Sequence, residues 1–457
     1  MSETNLISDP IFTPISGPVF TTPELPTYES LMDCIRCGRC LPVCPTYQQT
    51  TLETQSPRGR LSLLRAVEDG KLDLDDPGVE EHLYHCLDCR ACNVVCPAGI
   101  SIGECIVEGR AAVEEKHPRS WIIRFVLNHA LISPRRIEWF AWPLRLAQQL
   151  KLDKLLLFLF GWIPAIRDLM QMAPAMAKPL WKELTNPPAG FSSTRMDVQS
   201  NLREVGQYRV GFFLGCVMNV AYGDASRASV KLLKQFSCEV VTPKAQVCCG
   251  APQDDQGLKD QARRMAKRNI EAFEKLGELD AIVADCAACS GYLKEYTHVL
   301  HNDPEWAAKA DWFSAKVKDI TEWLDQIMPQ DIATTIAGSR SITYHEPCHL
   351  ANVQGVRRQP RALLARLKNK GADVRELTDA TRCCGSAGIY NLTHSTMSKE
   401  LLDRKMADIA ATGAETVISA NPGCLLQLQW GARRTGLDVK VKHLTQVLVE
   451  SLAERED

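Results

Sequence analysis

The chain has 457 residues, of which 45 % are hydrophobic and 24 % are charged, and its formal net charge is −2. This length predicts two to four domains, and the near-neutral charge gives no support for nucleic-acid binding, which needs a basic face. The first thirty residues lack a signal-peptide pattern, and the longest apolar run, residues 155–166, is shorter than the roughly 20 residues of a membrane span. We therefore expect a cytoplasmic protein without a transmembrane segment. In a reducing compartment its nineteen cysteines indicate metal ligation or redox chemistry over disulfides.

The first 207 residues divide into three parts by composition. Residues 1–27 are rich in Thr, Pro and Ser, which predicts a flexible tail. Residues 28–116 carry two cysteine clusters joined by a helix-like connector. Residues 117–207 contain no cysteine but many Trp, Phe and Leu between prolines, which predicts a linker region of short amphipathic helices. We expect the apolar faces of these helices to form an ordinary core, with a membrane surface, a quinone or a partner subunit as alternatives.

Two runs of four cysteines, at residues 34–45 and 86–97, share the spacing Cys-x2-Cys-x2-Cys-x3-Cys-Pro. This is the spacing of bacterial ferredoxins, in which the fourth cysteine of each run ligates the cluster of the other run. Zinc ribbons use pairs of Cys-x2-Cys without this fourth cysteine and proline. The predicted ligands are Cys34, Cys37, Cys40 and Cys96 for one [4Fe-4S] cluster, and Cys44, Cys86, Cys89 and Cys92 for the other.

The connector between the two runs is longer than in a compact ferredoxin, so residues 28–116 predict an α-helical variant of a two-cluster ferredoxin-type domain. Arg58 and Arg60 lie in this connector. They either place positive charge near a cluster and raise its potential, or are simply solvated.

Strands alternate with helices after residue 208, which predicts α/β layers with parallel pairing. The order of elements repeats, and the two Cys-Cys-Gly stretches at residues 248–250 and 383–385 are 135 residues apart. Such a period is too long for a solenoid and predicts two duplicated domains. We name them the first CCG domain, residues 208–330, and the second CCG domain, residues 331–457. The predicted fold class is thus multidomain α+β: a helical ferredoxin-like domain, a helical linker and two α/β CCG domains.

The two CCG domains carry nine cysteines in matching register, and Asn421 stands in the second domain where the first has Cys286. The glycines Gly250 and Gly385 give the turns freedom to splay adjacent thiols. Converging thiolates suit an additional iron–sulfur cluster, or zinc or another soft metal, and buried free cysteine is the alternative. These further candidate ligands are Cys216, Cys248, Cys249, Cys286, Cys289, Cys348, Cys383, Cys384 and Cys424.

Two histidines and two further cysteines complete the candidate residues. His345 and His349 flank Cys348, and each is either a replacement for the missing ligand or a hydrogen-bonded structural histidine, with the structural role favoured. Cys105 and Cys238 fit neither cysteine pattern and are predicted to be packing residues.

The chain has no glycine-rich dinucleotide motif after a strand, no phosphate-binding loop of nucleotide hydrolases and no nucleophile elbow. Clusters without a substrate site imply a partner that performs the substrate chemistry. The paired ferredoxin motifs, the stretch "SPRGRL", the stretch "CCGSAGIYNLTH" at residues 383–394 and "NPGC" at residues 421–424 together resemble the iron–sulfur subunit of glycolate oxidase.

The resemblance covers nearly everything from residue 28 onward. It implies FAD-binding partner subunits that oxidise glycolate, and often D-lactate, with electrons passing through the two [4Fe-4S] clusters toward a quinone or another respiratory-chain acceptor. It implies no catalytic residue in this chain, and it leaves open peripheral association with the inner face of the cytoplasmic membrane.

Three alternatives remain at this point. One is a heterodisulfide reductase subunit with catalytic clusters in its CCG domains, against which Asn421 argues in part. Another is a lactate-utilisation or glycerol-3-phosphate dehydrogenase iron–sulfur subunit, and the third is a non-enzymatic zinc or scaffold protein.

Overall fold

A computed structural model describes residues 31–160, 162–186, 207–330, 341–368 and 371–453. The predicted flexible tail and most of the predicted polar linker before residue 208 lie outside these residues. The regular elements described in the N-terminal part are helices, joined by loops that carry the cysteines. Its elements are α1 (Pro45–Thr50), a 3-10 turn (Glu53–Gln55), α2 (Pro57–Glu68), α3 (Pro77–Tyr84), α4 (Ala91–Val95) and α5 (Ile102–Lys116).

Local sequence explains where helix α2 begins and which face it buries. The Ser56 side chain caps its first turn by accepting a hydrogen bond from the Gly59 N–H at 2.9 Å, and a proline occupies the first helical position. Leu61, Leu64 and Val67 recur at helical spacing and are almost fully buried against α3 and α5. Each such side chain contributes about 1.5–3 kcal/mol on burial, so this core holds the loops that carry the cysteines.

The middle region consists of short helices that contact both CCG domains. They are α6 (Trp121–Phe125), a π turn (Val126–Ala130), α7 (Pro134–Gln149), α8 (Leu152–Phe160), α9 (Pro164–Met172) and α10 (Trp181–Thr185). The buried Asn219 side chain joins the region to the first CCG domain: its Oδ1 accepts from the N–H groups of Leu180 and Trp181 at 2.8 and 2.9 Å, and its Nδ2 donates to the Pro134 carbonyl at 3.2 Å.

The expectation that these helices bury an ordinary core is wrong for their largest side chains. Trp121, Trp139, Trp142, Phe158 and Trp162 are each at least 61 % exposed. Only a few side chains of this region, such as Ile137, enter the core of the first CCG domain. No helix within the described residues is long and apolar enough to cross a membrane.

Each CCG domain contains one four-stranded parallel sheet, and the two sheets have the same strand order. The first sheet runs β2-β1-β3-β4 and the second runs β6-β5-β7-β8. The strands are β1 (Tyr208–Phe213), β2 (Cys238–Val241), β3 (Ala281–Ala284), β4 (Val317–Asp319), β5 (Ser341–Tyr344), β6 (Asp373–Arg375), β7 (Thr416–Ser419) and β8 (Lys440–His443). The central strands are buried on both faces, as parallel strands covered by helices require.

Helices cover both sheets. In the first domain they are α11 (Cys216–Ala221), α12 (Gly223–Gln235), α13 (Ala251–Asp255), α14 (Lys259–Glu274), α15 (Ala287–Lys294), α16 (Tyr296–Val299), α17 (Ala307–Lys316) and α18 (Ile320–Ile327). In the second they are a π turn (His349–Val353), α19 (Arg358–Lys368), α20 (Tyr390–Thr393), α21 (Ser395–Thr412), α22 (Pro422–Thr435) and α23 (Leu444–Ala453).

The two CCG domains share a core, and their loops after β3 and β7 meet. Helix α12 packs against α23, and α18 packs against α19. The Ala287 N–H donates to the Ala420 carbonyl at 3.0 Å. Buried His443 forms a hydrogen bond of 3.0 Å with the Asp285 carbonyl. Because ligands of parallel α/β sheets bind at the carboxyl ends of the strands, this arrangement brings the cysteine-bearing ends of both domains together.

Candidate metal centres

The two ferredoxin-type runs fold into loops of the same shape. In each loop the left-handed conformation occurs at two positions. One lies two residues after the first cysteine of the run, and the other lies directly after the second cysteine. These residues are Arg36 and Gly38 in the first loop, and Asp88 and Arg90 in the second. Left-handed residues within such turns point successive backbone N–H groups inward, which suits an anionic, sulfur-rich group.

Four cysteines surround one cavity in the ferredoxin-type domain. Cys44, from the first run, lines it together with Cys86, Cys89 and Cys92 from the second. Burial raises the pKa of Cys92 well above its usual range, and the neighbouring Cys86 and Cys44 thiols raise it further. The structure thus brings together the four residues predicted for one [4Fe-4S] cluster, and their chemistry fits such a group. Their role as ligands stays a prediction.

The other predicted set lies at the neighbouring edge of the same core. Cys34 and Cys96 pack against it and Cys40 is buried in it, whereas Cys37 is exposed. Burial raises the pKa of Cys40, and Cys34 and Cys44 add to that rise. Cys40 also raises the pKa of Cys92, a residue of the other predicted set. The two predicted ligand sets therefore lie next to each other.

Buried arginines supply positive charge beside the cavity. Arg60 lines it and is 1 % exposed, with its Nε donating to the His82 carbonyl at 2.7 Å. Arg110 is also buried and donates to the Leu83 carbonyl at 3.1 Å. Burial raises the pKa of Cys86, and these two guanidinium groups partly offset that rise. Arg110 was not singled out from the sequence, since nothing in helix α5 distinguishes it from a surface arginine.

Arg58 has a different environment from Arg60. It is partly exposed and pairs with Glu53 at 2.6 Å, and its guanidinium donates to the Arg36 carbonyl at 3.1 Å. It therefore supports the first loop while remaining near solvent.

The first CCG domain brings five thiols into one buried pocket. Cys216 begins helix α11 after β1, the adjacent pair at 248 and 249 precedes α13, and the Cys289 N–H donates to the Cys286 Sγ at 3.3 Å at the start of α15. Gly250, with φ of 102°, makes the turn after the pair. Hydrogen bonds from Cys216 and Cys249 hold the pKa of Cys248 well below its usual range.

The second CCG domain brings together four thiols and one imidazole. Cys348, Cys383 and Cys384 form a chain of neighbouring thiols that continues to Cys424. His345 lies with Cys384 and Cys424, and the three potential ligand atoms are all within 4.8 Å of one another. The other flanking histidine, His349, is not one of these three: its Nδ1 lies 3.5 Å from the Cys348 Sγ, and its Nε2 lies 3.9 Å from the Asp88 carboxylate.

Asn421 connects the two CCG pockets. Although it precedes helix α22, its side chain makes no cap to that helix. Its Oδ1 instead accepts from the Ala288 N–H at 3.2 Å and lies 3.7 Å from the Cys286 Sγ, and its Nδ2 donates to the Cys424 Sγ at 3.5 Å. The residue that replaces a cysteine in the repeat is therefore a bridge between the domains.

The second CCG pocket also adjoins the ferredoxin-type domain. Burial raises the pKa of Cys89 well above its usual range, and the Cys383 and Cys348 thiols raise it further. The Asn352 side chain donates to the Cys89 carbonyl at 2.8 Å. The four sulfur-rich sites thus form a continuous series, an adjacency that sequence spacing cannot reveal because its members come from separate domains.

The two remaining cysteines lie in apolar surroundings. Cys105 is buried in the core of the ferredoxin-type domain, and Cys238 is buried in the core shared by the CCG domains. Neither belongs to the groups of converging ligands described above, which agrees with a packing role.

Family models match the regions that carry these sites. The model of the 4Fe-4S dicluster domain matches residues 30–100, and the model of the cysteine-rich domain, CCG, matches residues 210–294 and 342–429. The chain is therefore an iron–sulfur electron-transfer protein, with a ferredoxin-type domain at its N-terminal end followed by two CCG domains.

Similarity to curated proteins extends over most of the chain. The "Probable glycolate oxidase iron-sulfur subunit" of Bacillus subtilis is 37 % identical over 428 residues, which cover 92 % of this chain and 94 % of that relative. The "Glycolate oxidase iron-sulfur subunit" of Escherichia coli is 29 % identical over the same shares of both chains. "Lactate utilization protein A" of Oceanobacillus iheyensis is 34 % identical over 52 % of this chain and 96 % of its own length. The chain belongs to the family of glycolate oxidase iron–sulfur subunits.

Proposed function

We propose that this chain carries electrons from a partner FAD-binding subunit, which oxidises glycolate or D-lactate, toward a quinone or another respiratory acceptor. The observation that carries the proposal is the cavity at which Cys44 from the first run meets Cys86, Cys89 and Cys92 from the second. When bound, [4Fe-4S] clusters at the two ferredoxin-type sets supply one-electron transfer.

The chain's own residues have distinct parts in this function. The eight cysteines of the two runs would hold the clusters. Arg60 and Arg110 place buried positive charge beside Cys86, which favours the more negatively charged, reduced state of a group bound there. The buried apolar side chains of Leu87 and Ile106 line the same cavity.

We propose domain limits that separate the regions carrying these different sites. They are the tail at 1–27, the two-cluster domain at 28–116, the helical linker at 117–207, and the CCG domains at 208–330 and 331–457. The five-thiol pocket of the first CCG domain has the donors for a further iron–sulfur group, because all its ligands are sulfur.

The experiment that tests the substrate is an anaerobic pull-down of the tagged chain from its native host. Glycolate, D-lactate and a heterodisulfide are then added separately while the visible spectrum is recorded. We expect co-purified flavin, and bleaching of the iron–sulfur absorbance by glycolate or D-lactate. The intact five-thiol pocket favours one competitor, a heterodisulfide reductase-like subunit. Absence of flavin, with dithionite-reduced protein reoxidised by the heterodisulfide, would replace the proposal by that function.

We further propose that helices α7 and α8 attach the protein to the surface of an anionic membrane. Trp139, Trp142 and Phe158 are exposed on these helices, and exposed basic residues lie on or between the same helices. These basic residues are Arg135, Arg136, Lys151 and Lys154. Aromatic side chains combined with Lys and Arg are typical of helices that lie in the interface of anionic lipids, and such attachment would bring the chain to a membrane-dissolved quinone.

A further inference from the structure

The pockets of the two CCG domains differ at two positions of their walls. Cys286 in the first domain is matched by Asn421 in the second. The second difference lies three residues before the first cysteine of each domain, where Phe213 is matched by His345. Phe213 is a fully buried apolar residue at the end of β1. Compared with the first domain, the pocket of the second domain therefore has one thiol fewer and one imidazole more.

His345 is held in a fixed position with one ring nitrogen unused. Its backbone N–H donates to the Ile418 carbonyl at 2.9 Å, which extends the pairing of β5 with β7 by one residue. The residue is 1 % exposed, and its Nδ1 is buried without a hydrogen-bond partner among the described residues. A buried polar atom without a hydrogen-bond partner is destabilising, so this nitrogen is available to bind a ligand.

The surroundings of His345 complete a set of metal donors. Its candidate ligand atom and the Sγ atoms of Cys384 and Cys424 all lie within 4.8 Å of one another. The Cys383 thiol stands outside this group of three but is hydrogen-bonded to Cys384, which makes it the candidate for a fourth donor. The Asn421 Nδ2 donates to the Cys424 Sγ at 3.5 Å, a contact that disperses the charge of a thiolate.

We propose that the second CCG domain binds a single zinc-class divalent ion through His345, Cys384, Cys424 and Cys383. Mixed sulfur and imidazole donors in a closed, four-coordinate set are typical of structural zinc. The all-sulfur pocket of the first CCG domain lacks such a nitrogen. The inference deepens the proposed function. It rests on that function only for the statement that the same chain carries iron–sulfur clusters at other sites.

The test is metal analysis of the full chain, purified anaerobically from cells supplied with iron and zinc. The variants are His345→Phe, which copies the residue of the first domain, and His345→Cys, which restores a soft donor. His349→Ala is the control, since that imidazole faces Asp88. We expect one zinc per chain in the parent, in His345→Cys and in His349→Ala, and loss of at least tenfold in His345→Phe. The visible spectrum of the ferredoxin-type clusters and the circular dichroism report whether each variant is folded.

Zinc K-edge absorption of the parent identifies the ligands. The proposal expects sulfur at about 2.3 Å and one imidazole nitrogen at about 2.0–2.1 Å. Zinc retained by His345→Phe, zinc lost from His349→Ala, or a parent protein without zinc would overturn it. These outcomes are independent of the substrate, because the absence of flavin or of glycolate-dependent bleaching would leave the zinc content unchanged.

Discussion

Three of the four left-handed residues in the ferredoxin-type loops are not glycine. Arg36, Asp88 and Arg90 adopt positive φ angles of 55°, 47° and 55°, a conformation that costs roughly 1–2 kcal/mol for residues with a Cβ. Buried ion pairs of Arg90 with Asp88 and Glu104 help to offset that cost in the second loop. Backbone strain of this kind is concentrated at functional sites, and here it coincides with the loops that carry the cysteines.

At this scale we predict that the fourth cysteine of each run determines the cluster of the other run. Cys44→Ser should remove the cluster of the second run, and Cys96→Ser that of the first, each with a loss of about four iron atoms per chain. Iron analysis and the electron paramagnetic resonance spectrum of the reduced protein measure this. Cys105→Ala, a buried cysteine of the same core, is the control and should retain both clusters. Loss of the first run's cluster in Cys44→Ser would contradict the assignment.

The sequence predicts the site unevenly at the residue scale. The spacing of the eight ferredoxin-type cysteines is enough to pair Cys44 with the second run, because the exchange is a property of the motif. Of the four left-handed residues only Gly38 is of a type that favours this conformation. The sequence offers both His345 and His349 as replacements for the missing ligand, and it cannot choose between them because the choice depends on how β5 pairs with β7.

The duplicated order of strands and helices is the feature at the element scale that the sequence predicts best. The two Cys-Cys-Gly stretches fix the register, and both sheets have the same strand order. The middle helices were predicted less well. Their apolar periodicity indicates a buried face, but Trp139 and Trp142 remain exposed because no other described element covers helix α7 on that side. Periodicity identifies an apolar face without identifying what covers it.

Helix α18 provides a pH-dependent contribution to stability. Asp319 caps it, accepting from the Thr321 N–H at 2.9 Å, and is fully buried; burial raises the pKa of its carboxyl to about 6. The folded protein therefore binds a proton that the unfolded chain releases near pH 4. This contribution to stability is complete below pH 4 and is lost as the pH rises to about 6, amounting to at most about 3 kcal/mol.

We predict that Asp319→Asn removes this contribution while keeping the cap, because asparagine caps helices about as well as aspartate. The free energy of unfolding, measured by denaturant titration between pH 4 and pH 7, should fall less steeply for the variant than for the parent. Asp311→Asn, at an exposed carboxylate, is the matched control. A variant whose slope equals that of the parent would show that the Asp319 carboxyl is ionised throughout.

The whole molecule arranges its sulfur-rich sites as a series. The Cys40 thiol lies close enough to Cys92 to raise its pKa, and Cys89 adjoins the second CCG pocket. Asn421 joins that pocket to the pocket of the first CCG domain. The series could not be predicted from the sequence, because residues 89 and 383 are brought together only by docking of the ferredoxin-type domain. In that docking Arg110 pairs with Asp255 across the domain boundary.

At the same scale we predict that the complete chain binds vesicles containing phosphatidylglycerol more tightly than vesicles of phosphatidylcholine alone. Replacing Trp139, Trp142 and Phe158 together by serine should weaken this binding by at least tenfold, because roughly 1.5–3 kcal/mol is lost for each large apolar side chain kept out of the interface. Cosedimentation measures the binding. Leu392→Ser, at an exposed apolar residue of the second CCG domain, is the control. Equal binding by the triple variant would contradict the membrane assignment.

The most direct test of the central claim is electron transfer in the complex of this chain with its flavin-containing partner. Glycolate and D-lactate are supplied anaerobically, and reduction of flavin and of an added quinone is followed for the parent, for Cys89→Ser and for the control Cys238→Ser. We predict that substrate still reduces the flavin in the Cys89→Ser complex while quinone reduction falls at least a hundredfold, and that the control behaves as the parent. Full quinone reduction by the Cys89→Ser complex would contradict the claim that this chain is the electron path.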